Sequence, residues 1–275
     1  MIYKKPLPPS GGSPTWIWDN QIDMKNTGVE FTISADPFTN KDFNWHTDLT
    51  LAHNKGTYAS IPTPNHRQQQ AGNYQNQLFQ MIEGEKLGTF WGYTFDGIWQ
   101  EDEVNAPFID ANGNATGETN GKVYGVVAGN SKYIDVNKDG KINTEDQGII
   151  GCGQPTFNWG WNNTFNYKNF DFSFFVVGFH GFDIYNATHQ MGYNLIKSQQ
   201  MAGVTPMREL LNRWTPTNTN TDIPGFVKGG TENKDFFSTR FVENGSFIKM
   251  KSITLGYTLP EATCRSLGIN NLRVY

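Results

Sequence analysis

Two adjoining segments alternate strictly enough to constrain both their secondary structure and its surroundings. In Pro155–Tyr167 one parity carries Phe157, Trp159, Trp161, Phe165 and Tyr167. The other carries Thr156, Asn158, Gly160, Asn162, Thr164 and Asn166, and Asn163 alone breaks the pattern. Successive side chains on a strand point to opposite faces, so one face is aromatic and the other polar. Lys168-Asn169 follows, then Phe170–Val177, in which Phe172, Phe174 and Val176 continue the aromatic parity. A two-residue loop sets Tyr167 opposite Phe170 on that face, which predicts one hairpin in a single register.

The polar face holds Asn, Thr, Ser, Gly and one Asp, without Lys or Glu; Phe175 and Val177 are its apolar exceptions at the far end. The outer face of a soluble sandwich usually carries charges, whereas a transmembrane barrel turns aromatic and aliphatic side chains to lipid and small polar ones to a wet lumen. The lipid-facing set is then Phe157, Trp159, Trp161, Phe165, Phe172 and Phe174, joined by Ile253, Leu255 and Tyr257 further along the chain; Asn158, Asn162, Thr164, Asn166, Asp171 and Ser173 face the lumen. Charged residues are only 17% of the chain, against the usual quarter. No apolar run approaches the ~20 residues of a membrane helix, so any span must be a closed barrel. The formal charge of −4 argues against nucleic acid as a partner. Two cysteines, Cys152 and Cys264, are too few for a disulfide scaffold; the topology puts them at opposite strand ends, unbonded.

Other segments repeat the construction. Val29, Phe31, Ile33 and Ala35 alternate with Glu30, Thr32 and Ser34; after a break at 36–42, Phe43, Trp45, Leu49 and Leu51 alternate with Asn44, His46, Asp48 and Thr50. In Phe247–Leu259 the second half is in phase at Ile253, Leu255, Tyr257 and Leu259, while Ile248 and Met250 have the opposite phase, which predicts a bulge near Lys251. Asn244-Gly245 and Asp96-Gly97 are turn signals, Met207–Trp214 has helical spacing, and Thr15–Asn20 and Asn105–Gly121 read as loop. Asn65–Gln77 shows no period. The connections 36–42, 168–169 and 260–270 are short, and 6–23, 52–154 and 181–245 are long. They alternate along the chain, so up-and-down strands collect all short turns at one end and all long loops at the other, as outer-membrane barrels do. Met1 opens no signal peptide, and Asn271–Tyr275 reads as a strand just beginning; both ends suggest a piece of a larger protein.

One long connection carries a chemical motif. Asp135-Val-Asn-Lys-Asp-Gly-Lys-Ile-Asn-Thr-Glu-Asp146 follows the D-x-[DN]-x-[DN]-G calcium pattern. Asp135, Asn137 and Asp139 offer side-chain oxygens, Gly140 the sharp turn, Lys141 its backbone carbonyl, and Asp146 the twelfth position in place of Glu. The expected cofactor is a structural Ca2+ that staples a surface loop; the alternative is an ion-free Asp/Asn turn. Trp91, Tyr93, Trp99, Tyr185 and Tyr193, in the long connections, are candidates for substrate or lid contacts by stacking on sugar rings, although such residues more often pack loops together. The scattered histidines lack metal spacing, and no catalytic fingerprint is present; the chain does not read as an enzyme.

Tyr133–Ile142, Ile149-Ile-Gly, Pro155-Thr-Phe and Tyr167–Phe172 together resemble the C-terminal half of SusC/RagA-type TonB-dependent outer-membrane transporters. So do Lys25–Glu30, Gly92–Gly97, Arg213–Pro216 and Val242–Tyr257, nearly end to end and in the family's order. The resemblance implies an all-β, antiparallel fragment of a large transmembrane barrel of roughly 22 strands, with long extracellular loops. Residues 1–275 would be the C-terminal part of that barrel, without the plug domain. It further implies import of oligosaccharides or peptides at the outer membrane, a SusD-like surface lipoprotein as a lid over 52–154 and 181–245, and TonB acting through an N-terminal region absent here. The competing reading is a secreted all-β glycan-binding or adhesin module with a calcium-stapled loop.

Overall fold

The computed structural model describes residues 3–6, 16–61, 66–68, 79–193, 207–225 and 236–275. The alternating segments form one principal sheet: β1 (Asp23–Thr39), β2 (Phe43–Ser60), β3 (Phe157–Tyr167), β4 (Phe170–His180), β5 (Phe247–Thr258) and β6 (Arg273–Val274). The six lie side by side in chain order, each antiparallel to the next. Among the described residues β1 and β6 are free edges, so the sheet is open. The predicted hairpin has the predicted register, Tyr167 opposite Phe170 and Phe165 opposite Phe172. Lys168 takes the left-handed conformation, φ 52°, that so tight a turn requires.

The phase change in β5 is a bulge at the predicted place. Phe175 pairs with Ser252 and Val176 with Met250, so Lys251 is the extra residue. One added residue offsets the period of two, and Ile248 and Met250 rejoin Ile253, Leu255 and Tyr257 on one face.

β1 and β2 run 17 and 18 residues, well past the alternating segments that announced them. Beyond Val29 and His53 most side chains are polar, the pair Met24–Tyr58 apart, while backbone pairing continues, so hydrophobic alternation no longer marks the strand. β1–β2 and β3–β4 join through two tight turns, and β5–β6 through a connection holding the helix Glu261–Ser266. All three lie at one end of the sheet. The connections 61–156 and 181–246 leave the other end.

Those connections, rather than the sheet, hold the core. Phe90 and Phe237 pack with Phe79, Ile150 and Tyr185, Phe241 with Leu210 and Ile223, and Ile22, Tyr58, Ile61 and Met81 with Leu87. Several local expectations change. Asp96-Gly97 is no turn: Phe95–Ile98 pairs with Ser131–Tyr133 and Asp96 is bulged out, with Gly97 at φ 103°. Asn105–Gly121 contains a small ribbon, Pro107–Ile109 with Ala115–Thr119, and Trp16–Asp19 pairs with Tyr3–Pro6. Backbone pairing makes these strands without any side-chain alternation. Arg208–Asn212 is 3-10 rather than α; its three-residue turn buries Leu210 and leaves Leu211 exposed. Asn244-Gly245 is the tight turn expected, Ser246 N donating to Asn244 Oδ1 at 2.8 Å, and it makes a corner between strands because Val242–Asn244 pairs with Asp183–Tyr185. Within 65–77 only His66–Gln68 is described, as a strand beside Phe79–Met81; the rest of that segment lies outside the described residues.

Candidate functional site

The apolar side chains of β1–β5 make one continuous face. At the short-turn end Phe43, Tyr167, Phe170 and Tyr257 stand in one cross-strand row. The next row is Trp45, Phe165, Phe172 and Leu255, with Phe38 stacked on Trp45 at 5.9 Å and Trp45 on Phe165 at 5.7 Å. Trp161 meets Phe174 edge-on at 5.5 Å. The face is bare towards the edges: Val29 is 71% exposed, Ile253 62% and Leu255 64%. Contiguous apolar surface of this extent marks contact with a partner or with lipid.

Two polar residues interrupt the middle of this face, and they are cross-strand partners: Thr47 sits opposite Asn163. Each accepts from a tryptophan. Trp45 Nε1 donates to Asn163 Oδ1 at 3.0 Å and Trp161 Nε1 to Thr47 Oγ1 at 3.0 Å. Asn163 is fully buried. The pair supplies acceptors for two indole N–H groups that no other side chain on this apolar face could satisfy. The irregularity at Asn163 was visible in the sequence; its role was not, because it depends on pairing with a strand 116 residues away in sequence. Glycines open space on the same principle. A Cβ at Gly178 would lie 2.2 Å from Trp159 Nε1, so the indole lies across the glycine and reaches His180 Nε2 at 3.2 Å.

The opposite face is polar and bonded within itself. His46 bridges Asp36 (2.8 Å) and Asp48 (3.1 Å), and Ser34 Oγ donates to Asp48 Oδ1 at 2.7 Å. Arg273 grips Asp171 through both Nε and Nη2; a Cβ at Gly256 would strike both partners. Asn158, Asn162, Thr164, Asn166 and Ser173 share this face by register.

In the long connections Lys132 Nζ lies 3.0 Å from Asp96 and 2.8 Å from Glu103, over the Trp99 ring. Burial opposes ionisation of Glu103, but the bonds from Lys132 and the Gln100 amide outweigh it and hold the carboxyl below its usual range. Burial likewise opposes the charge on Lys132, and its two carboxylate partners raise it. Of the aromatic candidates, Tyr93 and Trp99 are buried. Tyr93 stacks on Phe236 at 4.5 Å, and Tyr185 meets Phe237 edge-on and bonds Gln190. Trp91 is half-buried opposite Ile149. Tyr193 ends the helix Ala187–Tyr193, and its side chain lies outside the described residues. The four whose side chains are described are not brought together on one surface.

The motif loop is folded by its own carboxylates. Asp135 Oδ2 accepts from Gly140 N and Tyr124 Oη, each at 2.9 Å, Asn137 Oδ1 from Asp139 N, and Asp139 Oδ1 from Lys141 N. Lys138 and Gly140 take positive φ, 57° and 81°. Asp146 is buried, its two oxygens accepting from Val136 N and Asn143 N at 2.9 and 2.8 Å, so it staples the loop backbone. Asp135 Oδ1 is buried and accepts no hydrogen bond among the described residues, an orphaned oxygen that suits a cation. Among the described residues no three His, Cys, Asp or Glu side chains converge as a ready metal set. Tyr124 is raised well above its ordinary pKa by burial and by its bond to Asp135.

No family model matches the chain. It is 31% identical over 278 residues to TonB-dependent receptor P3 of Formosa agariphila, an alignment taking in 100% of this chain and 26% of that protein. It is 24% identical over 242 residues to TonB-dependent receptor SusC of Bacteroides thetaiotaomicron, covering 86% of this chain and 20% of that one. Its fold matches the RagAB peptide importer in its open-open state with a TM-score of 0.69 at 19% identity, over 99% of this chain and 26% of that one. The chain thus spans about a quarter of the length of the receptors it matches.

Proposed function

Because this chain is homologous to a segment of TonB-dependent receptors that include SusC, we propose that it forms part of the barrel wall of an outer-membrane importer. The observation that carries the reading is the single apolar face across β1–β5, exposed to its surroundings while the opposite face is polar and internally bonded. On this reading the apolar face meets lipid, the polar face lines the lumen, the tight turns are periplasmic, and the long connections are extracellular. The cargo is an oligosaccharide or a peptide, captured beneath a SusD-like lipoprotein and admitted when TonB opens a plug. The chain's own part is a wall and a loop platform; no catalytic step is involved. Among the described side chains, Trp91 and Tyr185 are the stacking candidates that keep accessible surface. The motif loop holds a structural Ca2+ on Asp135, Asn137 and Asp139, with Asp135 Oδ1 as the oxygen in want of a partner and Lys141 supplying its carbonyl. Asp146 shapes the loop from behind.

The test is to isolate the intact parent protein from outer membranes in mild detergent and identify what accompanies it. Co-purification of a surface lipoprotein supports the importer, and a trapped oligosaccharide or peptide names the cargo class. Recovery from the soluble fraction, alone, favours the secreted glycan-binding module. For the ion, calcium titration of the same preparation should raise its melting temperature, and Asp135→Asn should abolish that rise; no calcium response in the unaltered protein would refute the cation site.

A further inference from the structure

The apolar face ends abruptly on the side of the long connections. Along β1 and β2 the outward pairs read Ile33–Leu49, Phe31–Leu51 and Val29–His53, then Thr27–Lys55 and Lys25–Thr57. Thr57 in turn bridges Lys86. Directly paired residues share a face, so Lys25, Lys55 and Lys86 all stand on the outward face, within two residue pairs of the last apolar side chain. The inner side confirms the direction for Lys86. Its neighbour Leu87 packs inward against the cluster of Ile22, Tyr58, Ile61 and Met81. Lys25 and Lys55 are exposed and Lys86 is half-buried. None of the three has an ion-pair partner among the described residues. Asp23, two residues beyond Lys25 on the same face, pairs with none of them, and His53 turns its Nδ1 to the Thr156 carbonyl.

The two ends of the face therefore differ in chemistry. The short-turn end closes on the aromatic row Phe43, Tyr167, Phe170 and Tyr257, while the long-connection end closes, along β1 and β2, on three ammonium groups without an ion-pair partner among the described residues. Lysine stems can lie on apolar surface while the head reaches the interface, and cations at that level attract anionic lipid. We propose that Lys25, Lys55 and Lys86 form a binding site for a phosphate-bearing lipid headgroup, seated at the outward rim with its acyl chains against Val29, Phe31 and Ile33. This rests on the reading of the apolar face as lipid-facing.

The experiment uses the full-length parent receptor in neutral detergent, with lipid A as the probe in bis-phosphorylated and dephosphorylated forms, read by native mass spectrometry. The phosphorylated form should bind more tightly. A triple Lys25→Gln, Lys55→Gln, Lys86→Gln variant should lose that preference: each lysine at an anionic surface is worth roughly five-fold in binding, so on the order of a hundred-fold for three. Lys249→Gln with Lys251→Gln, on β5, should leave the preference intact, and heat-modifiable migration on gels checks that each variant is folded. Equal affinity of the unaltered receptor for both forms, or an unchanged preference in the triple variant, overturns the headgroup site while leaving the lipid-facing assignment standing. Failure of both forms to bind, with recovery of the parent from the soluble fraction, overturns the lipid-facing reading itself and the site with it.

Discussion

Asn163 and Thr47 show how little tolerance the apolar face has for an unpaired donor. Each tryptophan brings one N–H onto an apolar face, and each finds its acceptor on the partner strand. Asn163→Ala keeps the backbone ladder but strands the Trp45 N–H, which should cost roughly 1–3 kcal/mol and appear as earlier unfolding in a heat-modifiability series of the parent receptor. Stability equal to the unaltered protein would mean that Trp45 has another partner. The two faces should also differ sharply in what they accept. Trp161→Asp puts a carboxylate on the apolar side and removes both the Phe174 contact and the Thr47 bond, whereas Asn162→Asp adds one on the polar side. The carboxylate alone costs somewhat less than the roughly 2–4 kcal/mol of a mid-bilayer Lys or Arg. Assembly in the outer membrane should fail for the first and persist for the second, and equal tolerance of both would sink the lipid-face assignment.

The strands carry information that their composition hides. β5 changes phase at Lys251, and the change could equally have meant a broken strand. The bulge resolves it, because an inserted residue returns the face to register. Deleting Lys251 should therefore be tolerated, giving a regular ladder with Met250 and Ser252 adjacent and every apolar residue still outward. Deleting Thr254 from the same strand shifts one half by a residue and turns its apolar side chains to the lumen, so assembly should be lost. Protease protection of the receptor in intact cells distinguishes the two; loss in both would mean that the bulge itself is required. β1 and β2 give the opposite lesson. Their apolar halves were legible, but their outer halves were not, since pairing there is carried by backbone bonds between residues that are mostly polar, with Met24–Tyr58 the one large apolar pair.

For the whole molecule, stability is divided between a sheet whose apolar face needs an external medium and loops that pack a core of their own. The Asp96–Lys132–Glu103 cluster lies in the loop unit, and its titration sets a pH window. Glu103 is depressed in the fold, so its contribution is complete above its ordinary value of 4.5 and is lost as pH falls through the lower folded value. Lys132 is raised, so its contribution is complete below 10.5 and is lost as pH rises through the higher folded value; raised Tyr124 behaves likewise above 10.0. Hydrogen-exchange protection across 95–135, taken relative to the intrinsic rate at each pH, should be highest between those limits and fall outside them, while protection in β3 and β4 stays unchanged. Loss of protection in β3 and β4 at the same pH would show that the loops and the sheet unfold together.

The sequence alone determined the alternation, the central hairpin and its register, the bulge at Lys251 and the segregation of short from long connections. All of these follow from the period of two in strands and from turn length, which are local. Only the tertiary structure decided that Asn163 answers Trp45, that Trp159 lies across Gly178, that Tyr93 and Trp99 pack a loop core, and that Asp146 bonds the loop backbone on both oxygens. Those outcomes depend on which distant residues share a row or a cavity, and neither propensity nor spacing along one strand encodes what stands on the next.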